Sequence, residues 1–308
     1  MTIVPPAPDE PRRPLGPQDP GDAWVVAPTG EKYWGRFGAA GVLAVDRQRG
    51  VLLQHRVGWS HFGGTWGIPG GALHEGESAL DGALREAQEE AGIPDGALHA
   101  RFARVLDLEI WSYTTVVADV LAPFDPVISD PESLALEWVP VDEVDQRPLH
   151  PGFGAAWPLL RSLLAAHPAI VVDAANVVGS VPDGWWKDRM GAASRLHARL
   201  SAWAAGGVDA EALGLEADRW FPPVSMVVEG AARAIPDASH QTHGARVAIV
   251  RADGAGDDAI VEEARCLLVD GSEVTAVTSD RGLTVRLEEA GARVESAGWL
   301  LRQLDARG

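Results

Sequence analysis

One cysteine in 308 residues, Cys266, excludes an intrachain disulfide, and its neighbours Ala264, Leu267 and Leu268 predict a small buried apolar side chain without a chemical role. The chain also lacks any run of eighteen apolar residues, so no transmembrane helix and no membrane partner are expected. Its first twenty residues have no apolar signal core. They carry Pro5, Pro6, Pro8, Pro11, Pro14, Pro17 and Pro20 instead, which predicts a disordered proline-rich arm over 1–21 and a cytoplasmic protein. Positive charge is scarce: 26 Lys and Arg against 44 Asp and Glu leave a formal charge of −18, which opposes tight binding to duplex DNA. No basic helix-turn-helix is present, which argues against a transcription regulator. Small phosphorylated substrates stay open to such a chain, because a bound metal reverses the local sign.

What is present is enough apolar material, 46% of residues, for packed cores, and a length that favours two domains. One stretch carries unusual chemistry: Gly71-Ala-Leu-His-Glu-Gly-Glu77-Ser-Ala-Leu-Asp-Gly-Ala-Leu-Arg85-Glu86-Ala87-Gln-Glu89-Glu90-Ala-Gly92-Ile93. A helix over 78–91 would project Glu86, Glu89 and Glu90 from one stripe about a turn long, with Leu80, Leu84, Ala87 and Ala91 on the opposite stripe against a sheet. Like charges so placed cost roughly 0.2–0.5 kcal/mol per pair and would hold protons unless a cation sat among them. A hard divalent cation relieves the repulsion, and Mg2+ suits best because it takes one or two carboxylates and bridges to phosphates. Upstream, Trp66-Gly-Ile-Pro-Gly70-Gly71 supplies backbone able to turn sharply and approach a ligand closely.

The pattern Gly, five residues, Glu, seven residues, Arg-Glu-apolar-any-Glu-Glu-any-Gly-apolar resembles the Nudix signature at every fixed position, with Ala87 small where a larger aliphatic is usual. The resemblance implies a mixed-sheet α/β/α sandwich over 22–166 that hydrolyses a diphosphate bond in a nucleoside diphosphate derivative. It implies Mg2+ held by Glu86, Glu89 and Glu90, assistance from Glu77, and Arg85 fixing the direction of a box carboxylate. The general base stays open among Glu86, Glu89, Glu132 and Glu137. Gly70, Gly71 and Arg56 are candidate substrate contacts, and His55, Trp59 and His61 are candidates to line the same pocket. Oxidised nucleoside triphosphates, nucleotide sugars and dinucleoside polyphosphates all remain open as substrates.

Apolar runs predict strands over 39–45 and 51–54 flanking a turn, then 102–107, 111–120 and 136–139, a helical turn at 141–144 and a closing helix over 157–166. From 168 to 308 the pattern becomes α/β alternation with a mainly parallel sheet, strands being expected at 169–173, 224–228, 247–250 and 274–278. In such sheets ligands gather at the carboxyl ends of strands, where Asp173, Glu229 and Asp280 fall, and Asp257-Asp258 opens a further helix. The gap over 201–220 is expected to be a helix end and an insertion.

The segments Val-Val-Asp173-Ala-Ala-Asn176-Val, Gly-Asp257-Asp258-Ala-Ile-Val-Glu262-Glu263-Ala and Val-Thr-Ser279-Asp280-Arg281-Gly282-Leu resemble the NYN/PIN-like nuclease family. That resemblance implies Mg2+ or Mn2+ held by Asp173, Asp257, Asp258 and Asp280, with Glu229 less firmly placed, Asn176 orienting ligands, and a metal-dependent ribonuclease. The bland alternative is that Asp257 and Asp280 cap helices and Asp173 starts an Asx-turn, leaving a noncatalytic RNA-binding or regulatory module. Trp185-Trp186-Lys187-Asp188-Arg189, with Arg195 and Arg199, would suit single-stranded RNA, although packing and a solvated helix face explain them as well.

Overall fold

The computed structural model describes residues 1–5, 21–182, 184–236 and 247–306. The chain divides into two units, Met1–Leu164 and Ala165–Gly308. No helix among the described residues is long and apolar enough to cross a membrane.

In the first unit, β1 (Thr2–Val4), β2 (Trp24–Val26) and β3 (Lys32–Trp34) form a small antiparallel sheet. The expectation of a disordered arm is therefore corrected at its start, where β-branched Thr2, Ile3 and Val4 pair with Val26, Val25 and Trp24. The prolines from Pro6 to Pro20 lie outside the described residues.

The main sheet comprises β4 (Ala39–Asp46), β5 (Gly50–Arg56), β6 (Trp66–Gly67), β7 (Gly70–Ala72), β8 (Leu98–Asp107), β9 (Ser112–Val120) and β10 (Ser133–Val139). Its order within this unit is β10-β5-β4-β9-β8, with β6 beside β5 and β7 beside β4. The β4–β9 pair is parallel and the others are antiparallel, so the sheet is mixed as expected. The continuous apolar run of β4 is buried from Ala39 to Ala44, which suits a central strand covered on both faces.

Helix α1 (Ala79–Ala91) starts where Ser78 Oγ accepts the Asp81 amide at 3.1 Å. It stops at Gly92, whose φ of 61° is left-handed. Ala83, Ala87 and Ala91 are fully buried, and α1 packs against β4 and β7. These short side chains let the helix approach the sheet closely, which gives the small residue at Ala87 a packing reason.

Helix α2 (Pro151–Leu163) begins six residues before the expected start and ends three before the expected end. Gly152, Gly154 and Pro158 read locally as breakers. Pro151 nevertheless fits the first turn, where its missing N–H is no loss. Burial of Phe153, Trp157, Leu160 and Leu163 outweighs the interior proline. The helical turn expected at 141–144 falls slightly later, as a 3₁₀ turn at Val144–Gln146.

The second unit is built on a five-stranded sheet in the order β15-β14-β11-β16-β17, parallel throughout. Its elements run β11 (Pro168–Asp173), α3 (Ala174–Gly179), α4 (Arg189–Ala205), β12 (Val208–Asp209), α5 (Ala210–Leu213), β13 (Arg219–Trp220) and β14 (Val224–Val228). There follow β15 (Val247–Arg251), α6 (Gly256–Val269), β16 (Glu273–Val277), α7 (Arg281–Ala290), β17 (Arg293–Glu295) and α8 (Ala297–Asp305). The central strand β11 is buried along its whole length. The supposed insertion over 201–220 is instead the end of α4, the helical turn α5 and a short antiparallel β12–β13 ribbon anchored by the fully buried Trp220.

Cys266 is exposed rather than buried. The packed stripe of α6 runs through Gly256, Ile260, Val261 and Ala264, and Cys266 falls off it.

Candidate functional sites

Arg85 organises the acidic patch of the first unit. Its Nε and Nη2 donate to the two oxygens of Glu77, each at 2.9 Å, while Nη1 donates to Glu86 Oε1 at 2.7 Å and reaches Glu89 Oε2 at 3.4 Å. Nη2 also donates to the Ala72 carbonyl at 3.0 Å, which ties the helix to β7. Glu77 additionally accepts the His74 amide at 2.9 Å. The Arg85 hydrogen bonds hold the Glu77 carboxyl below its ordinary range, and the same pairing raises Arg85.

Glu86 and Glu90 are buried, 4% and 2% exposed, on the same face as the packing alanines. The expected separation into an acidic stripe and an opposite apolar stripe is thus corrected: Leu80 and Leu84 are only half-buried, and Glu89 leans into solvent. The i, i+4 spacing of Glu86 and Glu90 carries both under the Gly70-Gly71 backbone, while Glu89 lies round the helix. Glu90 Oε2 accepts the Gly70 amide at 2.9 Å and Gln54 Nε2 at 3.3 Å, and Gln54 Nε2 also donates to Ser133 Oγ at 2.8 Å. Gly71 is necessary because a Cβ there would lie 2.6 Å from the Glu86 carboxyl carbon. Gly70 leaves no more space, since its Cβ would lie 2.6 Å from the Ala40 carbonyl oxygen.

The donors of this patch are hard carboxylate oxygens, the chemistry a divalent cation such as Mg2+ takes, and the bare Gly71 Cα leaves the Glu86 carboxylate approachable. Among the described residues no three His, Cys, Asp or Glu side chains stand gathered as a metal cage. Arg85 engages the carboxylates instead.

Around β5 the pocket residues diverge. His55 stacks on Trp66, with centroids 4.6 Å apart and planes 5° apart, and Arg147 lies 4.6 Å over the same indole. Trp59 is exposed, and His61 meets Trp24 edge-on at 5.6 Å. Arg56 Nη2 lies 4.0 Å from Glu132 Oε2, whereas Glu137 pairs with Arg147 at 2.9 Å. Sequence reasoning missed Gln54, Tyr113 and His150. Burial pushes the Tyr113 hydroxyl well above its ordinary value, with Glu90 and Glu86 adding to the shift and Arg56 opposing it. A polar residue closing the apolar run Val51-Leu-Leu-Gln54 was the available signal for Gln54.

In the second unit, Asp173, Asn176, Glu229, Asp257 and Asp280 line one cleft of about 410 Å³ at the carboxyl ends of the strands. Asp258 does not join them: it faces Arg286 Nη2 at 2.6 Å and is corrected out of the set, because the next position along a helix turns about 100° away. Asp173 is buried, its Oδ1 accepting the Asn176 amide at 3.0 Å and its Oδ2 the Thr278 hydroxyl at 2.8 Å. Burial raises its carboxyl, with Asp257 and Glu229 adding repulsion against those hydrogen bonds. Asn176 Oδ1 accepts the Ser279 amide at 2.8 Å. Asp280 caps α7 through Leu283 N at 2.9 Å, and Glu229 accepts the Gly256 amide at 3.0 Å at the start of α6. Asp257 is no cap; it lies in the first turn of α6 after Ala255. Trp186 is 58% exposed, the Arg189 guanidinium lies 5.6 Å over Trp185, and Arg199 pairs with Asp305.

The fold and the acidic helix define a nucleotide-type hydrolase unit, and residues 35–162 match the NUDIX domain family. A Mycobacterium tuberculosis protein with the provisional name 8-oxo-dGTP diphosphatase 3 is 48% identical over 159 residues, covering 48% of this chain and 72% of that protein. A nucleoside triphosphate pyrophosphatase/Nudix hydrolase fusion protein of Bifidobacterium longum is 42% identical over 153 residues, 47% of this chain but 32% of that protein. A crystal structure of a Nudix hydrolase from M. smegmatis, RenU, is 44% identical, covers 47% of this chain and 96% of its own, and superposes with a TM-score of 0.44. The chain belongs to the Nudix family and its first unit is a diphosphohydrolase of that family.

Proposed function

We propose that the first unit hydrolyses a diphosphate bond in a nucleoside diphosphate derivative, with oxidised purine nucleoside triphosphates the class to test first. The name of the M. tuberculosis relative supports the substrate class. The Arg85 clamp on Glu77, Glu86 and Glu89 is the observation that carries the site.

Glu86, Glu89 and Glu90 would hold a divalent cation, Mg2+ by preference for hard oxygen donors. When bound, such a cation supplies charge neutralisation at the diphosphate and a polarised water. Arg85 fixes the direction of Glu86 and keeps Glu77 ionised. Gln54 and the Gly70 amide orient Glu90, so that its carboxylate is placed before substrate arrives. Gly70 and Gly71 bring backbone close to the phosphates, and Arg56 contacts substrate from β5. Exposed Glu89 is the candidate base best placed to exchange protons with water. The test is hydrolysis of a nucleotide panel in Mg2+ with product identification, using the full chain and Glu89→Gln. Turnover by that variant at the wild-type rate would remove Glu89 from the reaction.

A second reading concerns residues 168–308, which we propose form a PIN-like, Mg2+- or Mn2+-dependent ribonuclease domain acting on single-stranded RNA. Asp173, Glu229, Asp257 and Asp280 meeting on one cleft favours it over a noncatalytic RNA-binding or regulatory module. These acids now serve as caps and turn partners, so metal binding would require Asp280 and Glu229 to exchange backbone amides for the ion. Full-length protein with labelled single-stranded RNA and Mn2+, against Asp173→Asn, decides between the two. Equal cleavage by both proteins supports the module.

A further inference from the structure

Arg56, at the end of β5, carries a guanidinium that is 17% exposed and makes no hydrogen bond among the described residues. Its ion contact with Glu132 spans 4.0 Å, and its Nε is buried without a partner. A guanidinium has five N–H donors and a permanent charge, and withdrawing it from water without acceptors costs stability. Such an arrangement persists where a ligand supplies the acceptors.

The surroundings specify the ligand. Gly67 separates Arg56 from His150: a Cβ there would lie 4.0 Å from Arg56 Cδ and 3.6 Å from His150 Cβ, so the two side chains flank one gap. His150 Nδ1 accepts the Gly152 amide at 3.1 Å, capping α2. The neutral ring therefore carries its proton on Nε2 and is left with a donor. Phe62, at φ 55°, sets its ring edge-on to His150 at 4.9 Å and beside His61 at 4.2 Å. Burial holds His150 near pKa 4, and the Arg56 charge lowers both His150 and His61. Tyr113 responds to Arg56 and to Glu86 and Glu90, which sets Arg56 between the acidic patch and the histidines. Donors and positive charge face a gap beside a diphosphate site. The complementary group is an oxyanion rich in acceptors, since a purine edge would demand acceptors from the protein as well.

Resting on the diphosphohydrolase reading, we propose that Arg56 and His150 Nε2–H bind a further anionic phosphate of the substrate, beyond the diphosphate held at the acidic helix. The pocket thereby selects nucleoside triphosphates over nucleoside diphosphates linked to a neutral group.

Two measurements on the full chain test this. In the first, steady-state kinetics with dGTP and with ADP-ribose compare wild type, Arg56→Met, Arg56→Lys and His150→Asn, the last keeping a capping side chain while removing Nε2–H. Arg56→Met should raise KM for dGTP relative to that for ADP-ribose on the order of ten- to hundredfold, with kcat changed less and with Lys intermediate. In the second, calorimetric titration with inorganic tripolyphosphate should show the same loss, while the melting temperature of Arg56→Met is not lowered. Equal tripolyphosphate affinity in wild type and Arg56→Met overturns the proposal, as does a lowered melting temperature with equal losses on both substrates. Wild type that binds tripolyphosphate through Arg56 yet hydrolyses no nucleotide would instead overturn the diphosphohydrolase reading and leave the phosphate pocket standing.

Discussion

Arg85 grips Glu77 in a two-point fork, Nε to one carboxylate oxygen and Nη2 to the other, both at 2.9 Å, across eight residues of chain. The fork joins the loop before α1 to the helix itself. Lysine has no planar fork and cannot reproduce it. Arg85→Lys is expected to lower kcat about 10–100-fold, the usual cost of losing a partner that orients a ligating carboxylate, while the protein stays folded. An unchanged kcat with a reduced melting temperature would assign Arg85 to stability alone.

The same fork makes stability depend on pH through Glu77. Its carboxyl is held below the ordinary 4.5 by Arg85, so the folded protein binds fewer protons there than the unfolded chain. The stabilisation is complete above the unfolded value and is lost as pH falls through the depressed folded value. Glu77→Gln should lower the melting temperature at pH 7, and the gap from wild type should close in acid. A gap that widens below pH 4.5 would contradict this.

His150 titrates in a different window. It is neutral in the folded state down to about pH 4, whereas its ordinary value is 6.5, so the unfolded chain binds more protons between these limits. Stability is expected to fall as pH drops from 6.5 toward 4, and His150→Asn should flatten that part of the profile. NMR titration of the ring gives the direct check, an inflection near 6.5 being the adverse result.

Gly71→Ala tests the close approach of loop and helix. The added methyl meets the Glu86 carboxylate at 2.6 Å, so Glu86 must swing away from its place beside Arg85. Activity should fall steeply, with a stability loss of about 1–3 kcal/mol from overpacking. Full activity in this variant would show that Glu86 is free to move without consequence.

Asp173→Asn should raise the melting temperature at neutral pH. Burial and the neighbouring Asp257 and Glu229 raise the carboxyl, so its ionised form is a burden on the folded state that the amide lacks. Differential scanning calorimetry at pH 7 reads the change. A lowered melting temperature would mean that the hydrogen bonds to Asn176 N and Thr278 outweigh the repulsion.

How far the sequence could be read depended on whether local pattern or distant contact decided each feature. Helix α1 was legible because Ser78, the charged run and Gly92 mark its ends within the segment itself. The parallel strands of the second unit were legible as short apolar runs, Val224–Val228 being predicted to the residue. Helix α2 was not, since Pro158 argues locally against a helix that only the burial of Trp157 and Leu160 sustains. In the site, Arg85 and its carboxylates were visible through fixed spacing. Gln54, Tyr113 and His150 reach their positions from separate strands and a helix cap, a convergence that one-dimensional spacing does not encode. The placing of Glu86 and Glu90 with the alanines was hidden for a related reason: the glycines at 70 and 71 make room for charged groups on a packed face.

Cys266 turns out to be a solvent-facing thiol on α6, the single cysteine of the chain. A maleimide dye would therefore attach at one known point, far along the helix from Asp257 in its first turn. Fluorescence anisotropy or quenching from that dye would follow RNA or metal at the second unit without any engineered residue and without touching the Nudix helix.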